Sequence, residues 1–331
     1  MRALVLEEID APLTCRDAEK PTPAEGEALV RIAAAALNHR DVYISHGQYP
    51  GIETPIILGS DGCGSVEAVS GDGADWVGKE VIINPSLGWG DDPRVQRDDF
   101  SILGLPRPGT FAQYVTVPIE NLAAKPPHLS PELAAALPLA GVTAWRALMT
   151  RGAMQAGDRV LISGVGGGVA LFALQFAVAG GAEVYVTSGS EAKIARAVEL
   201  GAKGGALYSE PGWRKKLSAY VPQGFDVIVD GAGGEGFGEL ARLLGAAGRL
   251  AFYGGTRGKW PTILPQHLFF RQVAILASTM GSPEDFASMV AFVTEHELVP
   301  VVDRSFSLED GAEAFTHLES GSQFGKVVLR V

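Results

Sequence analysis

One stretch of the sequence, Asp158 to Lys193, restricts the possible folds more than any other. It reads DRVLISGVGGGVALFALQFAVAGGAEVYVTSGSEAK, which is an apolar strand, a glycine-rich turn, a helix and a second apolar strand. This order is typical of the βαβ unit that binds a dinucleotide, although a tight βα turn alone is often rich in glycine. Glycines let the backbone approach a pyrophosphate, and the helix N-terminus supplies amide donors. The predicted phosphate-binding residues are Gly164, Gly166, Gly167, Gly168 and Val169.

The alternation of strands and helices continues beyond this stretch. Apolar runs separate amphipathic segments such as SEAKIARAVELGA, a pattern that indicates a parallel, doubly wound sheet. The predicted strands are Arg159–Ile162, Glu183–Thr187, Val227–Val229, Leu250–Tyr253 and Val273–Ala277. Before residue 123 the apolar runs are short and alternate with polar residues, as in antiparallel sheets. We therefore predict an α/β domain over residues 123–279, inserted in a β-rich domain of residues 1–122 that residues 280–331 complete.

The end of the second strand indicates which dinucleotide binds. Sites for NAD usually place an acidic side chain there, which binds the ribose 2′-hydroxyl. Here the strand ends in TSGS, with no acid before Glu191 and with Lys193 close behind. The hydroxyls of Ser188 and Ser190 and the ammonium group of Lys193 suit a 2′-phosphate, so the sequence predicts NADP. The two serines also have a structural interpretation as caps of the following helix, and both roles are compatible.

Charge and composition exclude several classes of function. The formal net charge is −11 and no run of Lys and Arg forms a basic stripe, so nucleic acid is not an expected partner. No apolar run reaches the length of about 18 residues that a membrane span needs, and no signal peptide is evident. We therefore expect a cytoplasmic protein without membrane association. Two cysteines, Cys15 and Cys63, are too few for a disulfide framework or a four-cysteine zinc site.

Seven stretches together carry a resemblance to a known family. They read LNHRDVYISHGQYP, PIILGSDGCGSV, GTFAQYVTVP, LPLAGVTAWRAL, SGVGGGVALFALQFA, DVIVDGAGG and GKVVL, in that order along the chain. The chain resembles the medium-chain dehydrogenase/reductases over its whole length. This family contains zinc alcohol dehydrogenases and zinc-free quinone and enoyl reductases. The resemblance implies a Rossmann domain inserted into a GroES-like domain, and a small-molecule substrate.

The resemblance also bears on metal binding. Zinc-dependent members carry a catalytic cysteine where this chain has Asn38, and a histidine–acid pair where it has Ser60 and Asp61. Catalytic zinc needs about three Cys, His or carboxylate ligands, and only Asp61 is of that type. The segment from about Asn84 to Gly109, where the family's structural zinc needs four cysteines, has none. We therefore expect the zinc-free branch, with no metal, and a turn entering a strand at ILGSDGCG.

The resemblance assigns the chemistry to side chains near the start of the chain. Asn38 matches an asparagine beside the nicotinamide and the substrate, although it is also placed to cap a local turn. Tyr49 matches the tyrosine that donates a proton in the enoyl reductases, and a phenol suits the late protonation of an enolate. Tyr43 and then His46 are the alternative donors. Asp41 is expected to orient this loop by hydrogen bonding.

Further cofactor contacts are expected in the dinucleotide domain and near the C-terminus. A doubly wound sheet binds its ligand at the carboxyl ends of its strands, which selects Gly231, Ala232, Tyr253, Gly254 and Ser278. The resemblance implies three more contacts: Thr143 against the nicotinamide, Tyr208 over the adenosine, and Lys326 close to the cofactor.

Together these features predict an enzyme. The resemblance and the NADP prediction imply an oxidoreductase that transfers hydride from NADPH to a quinone or an α,β-unsaturated carbonyl or enoyl substrate. Two alternatives stay open: a zinc-type alcohol dehydrogenase with displaced ligands, and a nucleotide-binding protein without catalysis. The last strand of the α/β sheet is apolar, and an uncovered apolar edge favours pairing with a second chain, so we expect a homodimer.

Overall fold

The computed structural model describes residues 1–331 of the chain. They fold into two units, the first made of Met1–Ala140 with Ser282–Val331 and the second of Gly141–Gly281. The strands are β1 (Arg2–Leu6), β2 (Thr14–Asp17), β3 (Glu27–Ala36), β4 (Ile56–Ile57), β5 (Asp61–Val69), β6 (Glu80–Ile83), β7 (Ser86–Leu87), β8 (Ser101–Ile102), β9 (Tyr114–Pro118), β10 (Leu122–Ala124), β11 (Arg159–Ile162), β12 (Glu183–Ser188), β13 (Gly204–Leu207), β14 (Phe225–Asp230), β15 (Leu244–Phe252), β16 (Ala274–Ala277), β17 (Val302–Ser307) and β18 (Lys326–Arg330). The helices are α1 (His39–Ser45), α2 (Pro131–Ala135), α3 (Pro138–Trp145), α4 (Gly168–Ala179), α5 (Glu191–Glu199), α6 (Trp213–Tyr220), α7 (Phe237–Leu243), α8 (Gln266–Phe269), α9 (Pro283–Glu295) and α10 (Gly311–Glu319).

The first unit is built on β-sheets. Its largest sheet has the strand order β10-β6-β5-β3-β18-β17, with β9 also paired to β3, and a smaller sheet has the order β2-β1-β4. Buried side chains such as Leu4, Val30 and Phe111 form the core. β3 pairs antiparallel with β5, as the alternating sequence predicts, whereas β17 and β18 pair in parallel.

The pairing register brings three distant segments to one end of the large sheet. β3 runs antiparallel to β5 with Ala36 opposite Asp61, and antiparallel to β18 with Ala36 opposite Val328. Asn38 lies two residues beyond Ala36, and Lys326 lies two residues before Val328. Asn38, Asp61 and Lys326 therefore lie at the same end of the sheet, although they are far apart in the sequence.

The second unit is a six-stranded parallel sheet in the order β13-β12-β11-β14-β15-β16. Helix α4 packs on β11 and β12, α5 on β12 and β13, and α7 on β15. The strand order reverses between β11 and β14, which is the switch point where a doubly wound sheet binds its ligand. The predicted fold class, α/β with a doubly wound sheet, is confirmed. None of the helices is both long and apolar enough to cross a bilayer.

Two elements differ from the sequence expectation. β13 begins with Gly204 and Gly205 and lacks an apolar run, and it is a strand because its backbone pairs with β12. The amphipathic segment FGELARLLGAAG predicts a helix that ends at its last glycine, but α7 ends at Leu243, without a glycine cap. The next residues enter β15 instead, because Leu244 pairs with Phe225 of β14.

The helix starts and the division of the chain follow from local contacts. The sequence Ser-Pro-Glu at residues 130–132 is a common helix start, and the Ser130 side chain accepts a hydrogen bond from the Leu133 backbone amide at the start of α2. Helix α2 contacts β3 and β5, so residues 123–140 pack within the first unit. The sequence indicates a boundary after residue 122, where helices replace strands along the chain. The first unit continues to Ala140, so this boundary lies inside it.

Candidate active site

Asp61 is the centre of a group of buried polar side chains in the first unit. This buried cluster consists of Asn38, Arg40, Asp41, Ser60, Asp61 and Lys326. Asp61 Oδ2 accepts hydrogen bonds from Asn38 Nδ2 and from Lys326 Nζ, each at 2.9 Å. Its Oδ1 accepts from the Leu139 amide at 2.7 Å. Three donors therefore fix the orientation of this carboxylate.

Lys326 supplies the positive charge that faces Asp61. Its side chain is 4% exposed, and Nζ donates to Leu37 O at 2.7 Å, to Asn38 Oδ1 at 2.6 Å and to Asp61 Oδ2 at 2.9 Å. An ammonium group has three donors, and all three are used here. A buried ion pair is stable only when its remaining hydrogen-bonding capacity is satisfied, and this pair meets that condition. The Asn38 amide is consequently held at both of its ends.

Asp41 orients the segment that carries Asn38, as the sequence predicts. Its fully buried carboxylate accepts a hydrogen bond from the backbone N–H of Asn38 at 2.8 Å, at the start of α1. Burial raises the pKa of Asp41 to about 6, while the charges of Arg40 and Lys326 and the hydrogen bond from Asn38 act in the opposite direction. Asp41 Oδ1 has no hydrogen-bond partner.

The three candidate proton donors lie in different surroundings. Tyr49 is half-buried against the core of the first unit, and the Arg40 guanidinium lies over its ring, with Cζ 5.2 Å from the ring centroid. Burial raises the pKa of Tyr43, which makes its phenol a weaker acid. His46 lies at the surface between two carboxylates, whose hydrogen bonds raise the pKa of its ring. Tyr49 is thus the candidate that is placed against the buried cluster.

Arg40 is a member of the cluster that the sequence analysis does not single out. Its Nη1 donates to Ser60 Oγ at 2.7 Å and to Leu103 O at 3.1 Å, and Ser60 Oγ donates in turn to Leu103 O at 2.7 Å. Nη1 also lies 3.9 Å from Asp41 Oδ1. The only sequence signal is an arginine two residues after Asn38, and its burial depends on the tertiary structure.

The residues at the family's zinc-ligand positions do not fit zinc. The Asn38 amide is bound at both ends, Ser60 Oγ accepts from a guanidinium, and Asp61 is paired with an ammonium group. The charges of Arg40 and Lys326 lie beside these atoms and repel a divalent cation. In residues 1–331 no three His, Cys, Asp or Glu side chains are grouped so that they could hold a metal ion. The donor chemistry here is that of a hydrogen-bonded network.

The glycine-rich turn of the second unit connects β11 to α4. Gly164 and Gly166 have φ values of +65° and +138°, which glycine adopts most readily. A Cβ atom on Gly164 or Gly167 would meet no other atom within 4 Å. Gly167 is the N-cap of α4 and offers no side chain to the first-turn amides. These amides, beside the positive end of the helix dipole, fit the oxygens of a pyrophosphate.

Other predicted cofactor residues lie at the carboxyl edge of the same sheet. The ring of Tyr253 approaches Gly231 so closely that a Cβ there would lie 2.4 Å from the phenol oxygen. A Cβ on Gly254 would lie 2.6 Å from the carbonyl oxygen of Gly231. The backbone contact requires glycine at position 254, and a side chain at position 231 would displace the Tyr253 ring. Ser278 follows β16, and its Oγ is buried without a hydrogen-bond partner, as expected of a group that a ligand satisfies.

The two serines at the end of β12 have structural roles. Ser188 is 2% exposed, and its Oγ donates to Val165 O at 3.2 Å, which ties β12 to the glycine-rich turn. Ser190 is the N-cap of α5 and accepts from the Lys193 amide at 3.4 Å. The Lys193 side chain lies beside the turn, since a Cβ on Gly166 would lie 2.9 Å from its Cδ. The capping interpretation of Ser190 is therefore correct, and the Lys193 side chain lies beside the glycine-rich turn.

Tyr208 follows β13 and is 39% exposed. A Cβ on Gly189 would lie 2.7 Å from its phenol oxygen, so the tyrosine lies over the end of β12. The guanidinium of Arg257 faces the tyrosine ring, with Cζ 5.2 Å from the ring centroid. Arg257 is a second positive charge in this region. No local sequence pattern marks it, because it lies in the loop after β15, far in sequence from Tyr208.

The predicted site residues thus fall into two groups. One group lies around the carboxyl edge of the parallel sheet and includes the glycine-rich turn, Tyr208, Gly231, Ala232, Tyr253, Gly254 and Ser278. Thr143 belongs to the same unit, in α3, where its hydroxyl donates to Met280 Sδ at 3.9 Å. The other group lies in the first unit, where Asn38 and Lys326 are in contact.

Comparison with known proteins identifies the family. The model "Alcohol dehydrogenase GroES-like domain" matches residues 24–127, and the model "Zinc-binding dehydrogenase" matches residues 168–295. The zinc-type alcohol dehydrogenase-like protein YogA of Leptosphaeria maculans is 36% identical, over 97% of this chain and 95% of its own. The chain belongs to the medium-chain dehydrogenase/reductase family. It is an oxidoreductase of that family.

Solved structures show the same architecture. A crystal structure of an NAD-dependent alcohol dehydrogenase is 40% identical and has a TM-score of 0.94, with all of both chains covered. A mycobacterial quinone oxidoreductase is 27% identical and has a TM-score of 0.84, again with both chains fully covered. The fold, a GroES-like domain together with a Rossmann-type sheet, is therefore common to proteins named as an alcohol dehydrogenase and as a quinone oxidoreductase.

Proposed function

We propose that this chain is an NADPH-dependent reductase that transfers hydride to a quinone or an α,β-unsaturated carbonyl or enoyl substrate without a metal. The buried cluster carries this proposal. At the three positions where zinc members bind metal, Asn38 donates to Asp61, Ser60 accepts from Arg40, and Asp61 accepts from Lys326. A conjugated acceptor spreads the charge that develops during reduction, so that hydrogen-bond donors can replace a Lewis acid.

The second unit would hold the dinucleotide. The pyrophosphate would bind at Gly164, Gly166, Gly167, Gly168 and Val169, where the first-turn amides of α4 are uncapped. Gly231, Ala232, Tyr253, Gly254, Thr143 and Ser278 would contact the rest of the cofactor. The nicotinamide, when bound, supplies a hydride. On the first unit, Asn38 and Lys326 are proposed as the further cofactor contacts that the family resemblance implies.

The protein's own contribution to the chemistry is a proton and the placement of polar groups. The substrate gains a hydride at its β-carbon, and the electron pair of its C=C bond then forms a bond to a proton at the α-carbon. We assign this proton to the Tyr49 hydroxyl, with Tyr43 as the alternative, and the tyrosinate regains a proton from solvent. One Nδ2 hydrogen of Asn38 binds Asp61 and its Oδ1 binds Lys326, so the second Nδ2 hydrogen is held in a fixed direction for donation to the substrate.

The preference for NADP is supported by charge at the end of β12. Lys193 lies beside the glycine-rich turn and Arg257 faces Tyr208. The carboxyl end of β12, Thr187 to Ser190, contains no acidic residue. Two cations attract a 2′-phosphate, whereas a ribose hydroxyl gains little from them. A solved relative is named as NAD-dependent, so binding of both dinucleotides has to be measured.

We also propose that the protein is a homodimer that pairs through the β16 edge of the sheet. β16 is the last strand of the sheet order, and its side chains are only partly buried. Leu264, Phe269 and Phe270, which precede it, are 53%, 53% and 76% exposed. Large apolar side chains beside an unpaired strand edge favour an interface with a second copy.

A substrate panel tests the proposed activity. The full chain is assayed for oxidation of NADPH and NADH with 1,4-naphthoquinone, 2-cyclohexen-1-one, a 2-enal and an enoyl thioester, and for oxidation of a primary and a secondary alcohol. Turnover of a quinone or a conjugated carbonyl by metal-free protein supports the proposal. Alcohol oxidation that requires added zinc supports the alternative of a zinc-type alcohol dehydrogenase with displaced ligands. Tight binding of a dinucleotide without any turnover supports a non-catalytic nucleotide-binding protein.

A further inference from the structure

Arg40 carries a buried positive charge whose hydrogen-bonding capacity is mostly unused. A guanidinium group has five N–H donors. Only Nη1 makes hydrogen bonds, to Ser60 Oγ and to Leu103 O. Nε is inaccessible to solvent and has no hydrogen-bond partner. Nη2 also donates to no protein atom, but it is accessible to solvent. The residue as a whole is only 9% exposed. A ligand cannot reach the inaccessible Nε, so Nη2, which is accessible and has no protein acceptor, is the nitrogen that can bind one.

The acidic residues of the buried cluster do not satisfy this cation. Asp61 already binds Lys326, Asn38 and the Leu139 amide. Asp41 lies 3.9 Å from Nη1 but makes no hydrogen bond to the guanidinium. Charge pairing with Asp41 stabilises Arg40, yet the donors of Nη2 stay without an acceptor. An additional oxygen atom with negative charge would complete the site.

The surroundings indicate where such an oxygen enters. The Arg40 guanidinium lies over the half-buried ring of Tyr49, with 5.2 Å between Cζ and the ring centroid. Ser60 Oγ and Leu103 O accept hydrogen bonds from Nη1 and so hold the guanidinium in place. A guanidinium and a phenol therefore lie together. Buried acceptors hold the guanidinium, and the phenol is partly exposed. A substrate carbonyl needs both of these groups, one to accept charge density and the other to give a proton.

We propose that Arg40 is a catalytic residue that binds the carbonyl oxygen of the substrate through Nη2 and stabilises the negative charge that develops on it. The guanidinium thus supplies, in the first unit, the positive charge that a metal supplies in zinc members. Ser60 is a positioning residue, because it acts only by holding Nη1. No covalent bond to the protein forms, and the proton still comes from Tyr49. This inference rests on the proposed function, because it assigns a role in that reduction.

The first experiment measures binding of an oxyanion without turnover. 4-Nitrophenol is the probe, because its phenolate resembles the enolate oxygen and absorbs visible light. The full wild-type chain should lower the apparent pKa of bound 4-nitrophenol below that of the free dye. Arg40→Gln should weaken phenolate binding by about 10- to 100-fold, the range of one charge-assisted hydrogen bond. Arg31→Gln, at an exposed arginine of β3, is the matched control and should bind the dye like wild type.

The second experiment uses whichever conjugated acceptor the panel identifies. Arg40→Gln should lower kcat by about 10²- to 10³-fold with a smaller change in KM, as removal of an oxyanion donor does. Arg40→Lys keeps the positive charge but loses the planar set of guanidinium donors, and it should retain an intermediate activity. Ser60→Ala should reduce kcat less than Arg40→Gln, because the cation is still present. Arg40→Lys also serves as the probe if Arg40→Gln does not fold.

The outcomes separate this inference from the proposed function. If the panel shows reduction but Arg40→Gln and Arg40→Lys keep wild-type kcat and wild-type dye binding, the role of Arg40 is wrong and the function stands. If no acceptor is reduced, the function is wrong, and the dye measurement still decides whether Arg40 forms an oxyanion site. A wild-type chain that leaves the pKa of 4-nitrophenol unchanged overturns the inference irrespective of any variant.

Discussion

Replacement of Asp41 by asparagine tests whether the burial of this carboxyl governs stability as a function of pH. Asp41 is fully buried, and its Oδ2 accepts one hydrogen bond, from the backbone N–H of Asn38. Burial raises the pKa to about 6, against the attraction of Arg40 and Lys326 and with a smaller contribution from Asp61. Compared with the ordinary value of 3.8, this corresponds to about 3 kcal/mol of free energy of unfolding.

The sign of the effect follows from the direction of the pKa change. The folded chain binds the Asp41 proton more tightly than the unfolded chain, so this contribution to stability is complete below about pH 4 and decreases as the pH rises through about 6. Asn cannot ionise, and its amide oxygen can still accept from Asn38. The stability of Asp41→Asn relative to wild type should therefore increase by about 3 kcal/mol between about pH 4 and about pH 8.

Urea unfolding followed by tryptophan fluorescence measures this difference at several pH values. The chain contains five Trp residues, which provide the signal. Asp72→Asn, at an exposed position of the same unit, is the control for a general change in charge. A difference between Asp41→Asn and wild type that stays constant over the whole pH range would refute the argument, because burial would then not have changed the proton affinity of this carboxyl.

Four further predictions concern the cofactor, the metal, the proton donor and the assembly. NADPH should bind at least about tenfold more tightly than NADH, and Lys193→Ala should reduce this ratio; equal dissociation constants in wild type would contradict the assignment. Purified protein should contain no stoichiometric zinc, and a chelator should change neither the melting temperature nor the activity; one zinc per chain by elemental analysis would rule this out. Tyr49→Phe should lower enone turnover by about 10²- to 10⁴-fold while NADPH binding barely changes, whereas full turnover in Tyr49→Phe with loss in Tyr43→Phe would move the donor to Tyr43. Light scattering at micromolar concentration should give the mass of a dimer, and a monomer mass would count against pairing through the β16 edge.

Local patterns determine the parts of this protein that depend on residues close together in the chain. The glycines from Gly164 to Gly168 predict the phosphate-binding turn, because a strand, a tight turn and a helix are all encoded within a few residues. Ser130 and Ser190 predict helix starts for the same reason, since an N-cap bonds an amide three residues later. The resemblance to the family marks Asn38, Ser60 and Asp61 as the ligand positions of zinc members, and the sequence has neither Cys nor His there.

Pairing between distant segments decided the strand β13, the contact between Asn38 and Lys326, and the burial of Arg40. β13 is glycine-rich and has no strand pattern of its own, so only its pairing with β12 makes it a strand. Lys326 Nζ and Asn38 Oδ1 are separated by 288 residues, and they meet because β18 pairs with β3. Arg40 reads in the sequence as an ordinary helix residue, and its charge is enclosed only when Ser60 and Leu103 fold against it. Spacing along the chain encodes hydrogen bonds within a turn or a helix, whereas burial and the neighbours of a charge depend on the register of strands that come together from opposite ends of the chain.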